Sequence, residues 1–281
     1  MRWGFFFWLV LVHGRFSHKK MQFFATRSTF PRFLMYFGGM NRRVWHRTHL
    51  FSRILCAAAL LLVAAVFSAC VDRSVERGNT ALRIGDFDRA VTNFSKALDD
   101  EPANRDARYG LALAYYSIAE DKERLKLPAL DMWEKTVNEF RILSKVDSTE
   151  SISGTYSTAL FYLARATLYK DGRANVLPLL DHSIRLDSAN YFSYNLKALL
   201  FAKLGRIDEA KKIYAFIVTK EPKFSSAYLN LGNLYWAEGD IGSAWDIWSM
   251  GHEALPEDAE LSRWTRVAED SLGAMVRAGE L

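Results

Sequence analysis

Apolar and charged residues sort along the chain with a helical period. Over 258–279, Leu261, Trp264, Ala268 and Leu272 recur every three or four positions with charges between them, which predicts an amphipathic helix with one face toward a core. Similar spacing puts Trp133, Phe140 and Leu143 on one predicted helix, and Leu160, Leu163 and Ala164 on another. A longer period lies over this one. Laid out in blocks of 34 from Tyr191, the chain repeats a tyrosine at position 4 (Tyr194, Tyr228), a small residue at 8 (Ala198, Gly232) and an aromatic at 11 (Phe201, Tyr235). The two blocks match again in Gly205 and Gly239 at 15, Ala210 and Ala244 at 20, Tyr214 and Trp248 at 24, and Pro222 and Pro256 at 32. A block from Val71 bears the same marks: Gly78 at 8, Gly85-Asp86-Phe87 at 15 to 17, Ala90 at 20, Phe94 at 24, Ala97 at 27 and Pro102 at 32.

These positions resemble the tetratricopeptide repeat. The resemblance implies an all-α fold, a right-handed solenoid whose repeats are each two antiparallel helices. Small residues at 8 and 20 let backbones approach, large ones at 4, 11 and 24 fill the space around that contact, and Pro at 32 stops the second helix. One helix pair cannot bury its apolar face alone, so neighbours stack into a continuous core. About five repeats are expected over 71–256, with a capping helix in 257–281. The two middle repeats are longer. Asp147-Ser148 and Asp187-Ser188 stand where the other repeats have proline. Extra residues are expected at Glu120–Pro128, between the helices of repeat two, and near Thr149–Thr155, ahead of the first helix of repeat three.

Charge is spread unevenly along the chain. The chain of 281 residues has a net charge of +5, which invites a nucleic-acid reading. Ten of the 37 basic residues and none of the 32 acidic ones fall in 1–70, so the remainder has 27 against 32, a net of −5. Nucleic acid is therefore not an expected partner. From Ile54 to Phe67 run fourteen uncharged apolar residues. At about 1.5 Å per residue they fall short of a hydrocarbon core of about 30 Å. They have the length of a signal-peptide hydrophobic region, preceded by Arg42, Arg43, Arg47 and Arg53 and followed by Ser68, Ala69 and Cys70. This resembles a bacterial lipobox, with Phe67 in place of the usual leucine, and implies that Cys70 is acylated. The alternative is a short anchor in which the cysteine has no role. Residues 40–69 are then a signal peptide beginning at Met40. Residues 1–39, with an apolar burst at Phe5–Val12, are an extension from a start assigned too early, or else a second membrane segment. Val71 follows the cysteine where an inner-membrane retention signal would have Asp. The expected location is thus the bacterial cell envelope, on the periplasmic face of the outer membrane.

Few residues of the folded region are of types that carry chemistry. Both cysteines, Cys56 and Cys70, precede the repeats, so the folded region has no thiolate metal site and no internal disulfide. Only His182 and His252 lie beyond Cys70, and G-x-S-x-G, H-E-x-x-H and Gly-rich phosphate loops are missing. A non-catalytic protein with no cofactor and no metal is expected. In the family, positions 2, 5, 6, 9, 12 and 13 of each first helix face the concave surface. The resemblance therefore implies a partner-binding face of Tyr109, Leu113 and Tyr116, then Phe161, Arg165 and Tyr169, then Asn195, Leu199 and Lys203, then Asn230, Asn233 and Trp236. Neighbouring helices covering some of these is the plainer reading. Position 5 is Val75, Tyr109, Phe161, Asn195 and Leu229, never lysine, so the carboxylate clamp of the chaperone-binding type is missing. Aromatics beside Asn and Arg suit a peptide. The layout is similar to that of small repeat lipoproteins that assist pilus or secretin assembly, or recruit cell-wall hydrolases. The other expectation is a carbohydrate- or cell-wall-binding subunit of an envelope enzyme complex, favoured by an acidic groove lined with Trp.

Overall fold

The structure, a computed structural model, describes Ala57, residues 73–146 and residues 149–279. The expectations placed on Met40, the lipobox and Cys70 lie outside the described residues. Among those residues all regular structure is α-helical, in eleven helices. The first pair is α1 (73–83) and α2 (Phe87–Asp100); α3 (Arg105–Arg124) and α4 (Leu130–Leu143) form the second. The third and fourth pairs are α5 (Glu150–Lys170) with α6 (Leu177–Leu186), and α7 (Tyr191–Lys203) with α8 (Ile207–Lys220). The last are α9 (Ser225–Ala237) and α10 (Ile241–Ala254), followed by α11 (Ala259–Ala278). From α2 onward each helix packs on its successor, and α9 also reaches back to α7 and forward to α11. Contacts thus run between neighbours along the array, as in a solenoid.

In the first, fourth and fifth pairs the turn between the helices follows from one glycine and the residue after it. Gly205 takes φ 78°, its N–H donates to Ala202 O at 3.0 Å, and the Arg206 N–H reaches back to Phe201 O at 2.8 Å. This closes the last carbonyls of α7 in the left-handed C-terminal motif that glycine adopts without strain. In the first and fifth pairs the following residue is an aspartate that opens the second helix: Asp86 accepts from the Arg89 N–H, and Asp240 from the Ser243 N–H. The longer α3 ends the same way with a lysine in the glycine place. Lys126 has φ 57°, and the Leu127 N–H donates to Lys122 O at 2.7 Å.

The core follows the size pattern of the repeat. Ala90, Phe94 and Ala97 of α2, Ala210, Tyr214 and Ile217 of α8, and Ala244, Trp248 and Gly251 of α10 are all buried. The Phe94 ring is clasped by two glycines from successive first helices: a Cβ would come within 2.6 Å of it from Gly78 and 2.3 Å from Gly110. Separate apolar clusters then mark each junction, from Ala81, Phe94 and Leu111 at one end to Tyr228, Trp248 and Leu261 at the cap.

The extra length of the middle repeats is mostly helix. In repeat two it lengthens α3 to 20 residues and adds the loop 125–129. In repeat three the residues near Thr149–Thr155, expected ahead of the first helix, instead form its first turns. The reason is packing: Ile152 and Tyr156 are buried four residues apart, in line with Ala159 and Leu163, so the apolar stripe continues backwards without a break. Tyr156 stacks on Phe140 of α4, with ring centroids 5.8 Å apart and planes at 18°.

The junction between the third and fourth pairs is built differently. Its apolar cluster is small, centred on Ala164, Val176 and Leu180. Beside it lies a buried polar network. The Ser157 hydroxyl donates to Ser183 O at 2.9 Å, and the Ser183 hydroxyl donates to Ser157 O at 2.8 Å. Asn190 Nδ2 donates to both hydroxyl oxygens, at 2.9 and 3.1 Å, while Ser193 Oγ lies 2.7 Å from Ser183 Oγ. Every polar atom in this group finds a partner, which is the condition for burying it without penalty.

Candidate functional site

The first helices α3, α5, α7 and α9 carry an almost continuous line of aromatic rings. It begins at Tyr116 on α3, whose ring meets Trp133 edge-on at 5.1 Å, and Trp133 stacks on Tyr162 of α5 at 4.7 Å and 10°. Tyr162 touches Phe161 at 5.2 Å, Phe161 touches Phe192 of α7 at 5.8 Å, and Phe192 meets Phe224, the N-cap residue of α9, edge-on at 5.2 Å. Trp133 is fully buried and anchors the line, whereas Phe192 is 60% exposed.

One cation sits on the line. Arg165 lies over Tyr162 at 4.6 Å and over Phe161 at 5.7 Å, and it pairs with Glu123 of α3. Glu123 also accepts the Trp133 indole N–H at 2.9 Å, so the guanidinium is held by a carboxylate that is itself fixed. Burial, with the Glu120 carboxylate next, pushes the Tyr116 hydroxyl well above the usual phenol range. It stays a neutral donor. Burial also raises the Glu120 carboxyl, helped by Asp121 and Glu123. Beside Tyr116 an open groove of about 700 Å³ runs between α3 and α5, bordered by Leu113, Thr155 and Thr158.

Two stretches, 75–122 and 195–247, match the tetratricopeptide-repeat family model. The fold is a tetratricopeptide-repeat solenoid. Human tetratricopeptide repeat protein 6 is 25% identical over a match covering 63% of this chain; the chain spans 37% of that relative's length. Among solved structures, MamA protein aligns at 22% identity and a TM-score of 0.48, over 69% of this chain and 96% of its own. YrrB, a TPR protein described with an unusual peptide-binding site, aligns at 20% identity and a TM-score of 0.48, over 71% and 97%. Pseudomonas aeruginosa pilF aligns at 17% identity and a TM-score of 0.44, over 73% and 87%.

On the repeat frame, the twelve residues expected on the partner-binding face fall into groups. Tyr109, Leu113 and Tyr116 are half-buried against the Trp133–Phe140 cluster, with Tyr109 edge-on to Phe140 at 6.3 Å. Phe161 and Arg165 join the ring line, while Tyr169, one turn on from Arg165, is 93% exposed. Asn230 Nδ2 donates to Asn195 Oδ1 at 3.2 Å, which ties α9 to α7 through paired side-chain amides. Leu199 and Asn233 are exposed, and Lys203 Nζ donates to Gly172 O at 3.2 Å. Trp236 is half-buried between Trp248, at 5.7 Å, and Trp264 of the cap, at 6.4 Å. Its ring belongs as much to the cap junction as to the surface.

Beyond the expected residues, the ring line includes Tyr162, Phe192 and Phe224. The first two occupy positions 6 and 2 of their repeats, both on the family's concave face, so the signal was present. Phe224 closes the fourth block at position 34, where that rule is silent. Among the described residues no three His, Cys, Asp or Glu side chains group so as to hold a metal ion, and no helix is long and apolar enough to cross a membrane.

Proposed function

We propose that this protein is a lipid-tethered TPR scaffold of the bacterial cell envelope that holds a protein or peptide partner along its first-helix face. The observation that carries the reading is the ring line from Tyr116 through Tyr162, Phe161 and Phe192 to Phe224. Rigid aromatic side chains give large contact area at low entropic cost, and a fixed cation such as Arg165 adds orientation. The amide pair Asn195–Asn230 supplies both donors and acceptors for a peptide backbone on the same helices. The tether rests on the lipobox-like run ending at Cys70. The partner class is an envelope protein, of the kind met in pilus or secretin assembly or in cell-wall hydrolase complexes.

A polysaccharide partner is the weaker reading. It would favour exposed tryptophans over an acidic groove, whereas the rings of this line that reach solvent are tyrosine and phenylalanine, and Trp236, Trp248 and Trp264 spend their faces on each other. The test is a photo-crosslinking residue at Phe192 in the full chain, in envelope membranes, against the same residue at exposed Met250 on α10. The expected result is one discrete protein adduct from position 192 and none from position 250. Glycan adducts at 192, or identical adducts from both sites, would contradict the peptide-scaffold reading. The tether is checked separately: Cys70→Ser should abolish labelling by an acyl-chain probe.

A further inference from the structure

Repeat three carries a feature that its neighbours lack. The first helices of repeats two, four and five open at position 1, at Arg105, Tyr191 and Ser225. Helix α5 opens instead at Glu150, about two turns ahead of Ser157, its own position 1. These added turns build one wall of the groove of about 700 Å³ beside Tyr116: Ser151, Gly154 and Thr155 come from them, with Thr158 just beyond. Leu113 and Tyr116 of α3 form the other wall, and Asp187, which follows α6, completes the lining. Without the added turns the α5 wall would be reduced to Thr158. Insertions in repeat arrays often gather on the face that binds, and this one borders the first ring of the aromatic line.

The chemistry of the lining narrows what fits. Leu113, the Tyr116 ring and the bare backbone at Gly154, where an added β-carbon meets nothing within 4 Å, give an apolar floor. Three hydroxyl donors of the lining are spent inside the protein. Thr155 donates to Ser151 O at 3.0 Å, Thr158 to Gly154 O at 3.1 Å, and Tyr116 to the Glu120 carboxylate. What faces an occupant is therefore apolar surface, acceptors and negative charge. Among the described residues Asp187 is the only charged member of the lining; its Oδ1 accepts the Ala189 N–H at 2.8 Å, and no cation pairs with it. Glu120, beside Tyr116, adds a second carboxylate. Lys122, Arg124 and Arg165, on the two helices of the groove, stand in pairs with Asp131, Asp121 and Glu123, so they add no net charge.

We propose that the α3–α5 groove is the anchor site for the scaffold's peptide partner, and that it takes a bulky apolar side chain whose neighbour in the peptide is lysine or arginine. The apolar side chain lies against Leu113, Tyr116 and Gly154, while the cation meets Asp187. The rest of the segment continues along the ring line toward Phe192 and Phe224. The proposal rests on the first-helix face holding a peptide, and adds where that peptide is gripped and what residues it must bring.

The test has two arms, both on the full chain. In the first, pools of fluorescein-labelled decapeptides are titrated by anisotropy, each pool fixing an apolar residue beside a lysine, arginine, alanine or glutamate with the rest randomised. Pools pairing Phe, Leu or Met with Lys or Arg should bind roughly tenfold or more tighter than those pairing the same residue with Glu. Gly154→Phe, which fills the groove, should weaken the favoured pools by roughly tenfold or more. Gly154→Ala adds one methyl group in open space and should bind like the parent, with the same melting curve. Asp187→Asn keeps an acceptor for the Ala189 N–H and should cut the preference for Lys over Glu by roughly fivefold. In the second arm the photo-crosslinker at Phe192 reports on the partner in membranes, and Gly154→Phe should cut its adduct by roughly tenfold. Pools that do not discriminate, a Gly154→Phe chain that binds as the parent does, or a Gly154→Ala chain that loses as much as Gly154→Phe each overturn the proposal. The crosslink tells the failures apart. An undiminished adduct in Gly154→Phe strikes out the groove and leaves the scaffold standing, whereas a parent chain without an adduct strikes out the scaffold reading beneath it.

Discussion

A β-carbon at Gly232 would stand 2.2 Å from Nε1 of Trp248, so the glycine on α9 is the space into which the indole of α10 fits. Trp248 is fully buried, and the repeat before it shows the alternative solution: Ala198 on α7 shares its cluster with the smaller Tyr214. Gly232→Ala should therefore overpack the fifth repeat and lower stability by roughly 1–3 kcal/mol, even though alanine is the better helix former. Adding Trp248→Tyr should recover part of the loss by recreating the pairing of repeat four. Urea denaturation of the two variants measures this. A single variant as stable as the parent would show that the indole relaxes freely and that the size match carries no energy.

That pairing also shows how far the sequence was legible. Repeats one, four and five could be read directly, because small residues at positions 8 and 20 and large ones at 24 are local requirements of a helix crossing. The added length of repeat two was legible as well, since Pro128 and the break in apolar spacing mark the loop. The first turns of α5 were not, because Gly154 and a run of Ser and Thr look like a linker until α4 supplies Phe140 for Tyr156 to stack on. The Trp236–Trp264 contact depends on where the cap docks, which no repeat position encodes. Ser183 sits at position 27, where the first repeat has Ala97. A small polar residue there reads as neutral filler until Ser157 and Asn190 are brought to it.

The serine–asparagine network should be energetically coupled. Ser183 is its centre, bonded to Ser157, Asn190 and Ser193. Ser183→Ala leaves buried donors on Asn190 and Ser193 short of a partner, at a cost of about 1–3 kcal/mol. Ser157→Ala removes overlapping bonds, so the double variant should lose less than the sum, by about 0.5 kcal/mol or more. Denaturation of the four-member cycle gives the coupling directly. Strict additivity would mean that water replaces each hydroxyl and that the network is no unit.

His182 should make this part of the array sensitive to mild acid. Its ring meets Tyr156 edge-on at 5.2 Å, and burial, with Arg185 second, holds its pKa below the ordinary value. In the unfolded chain the imidazole binds a proton near pH 6.5, whereas the folded chain resists until lower pH. The unfolded state thus holds more protons in that window, and stability falls as pH drops from about 6.5 toward the folded pKa. His182→Gln should flatten that segment of the profile while leaving the curve above pH 7 parallel to the parent. An unchanged slope below pH 6.5 would assign the acid sensitivity to other groups.

The last expectation separates binding from folding on the first-helix face. Phe192 is exposed yet joined to Phe161 and Phe224, so its ring continues the line without closing a core. Phe192→Ala should leave the melting temperature within a degree or two and weaken partner capture by about 2 kcal/mol, the usual loss for a central aromatic anchor. Trp236→Ala should behave differently. Removing that indole opens space against Trp248 and Trp264, which stack on each other at 5.3 Å, so the cap helix α11 should loosen first. A stability loss of about 2 kcal/mol or more is expected, with faster hydrogen exchange in α10 and α11 than in α1 and α2. The two variants are compared by melting curve, hydrogen exchange and crosslinking yield in the same membranes. If Phe192→Ala captures its partner undiminished, the ring line is a packing seam, and the working face must be sought elsewhere on the solenoid.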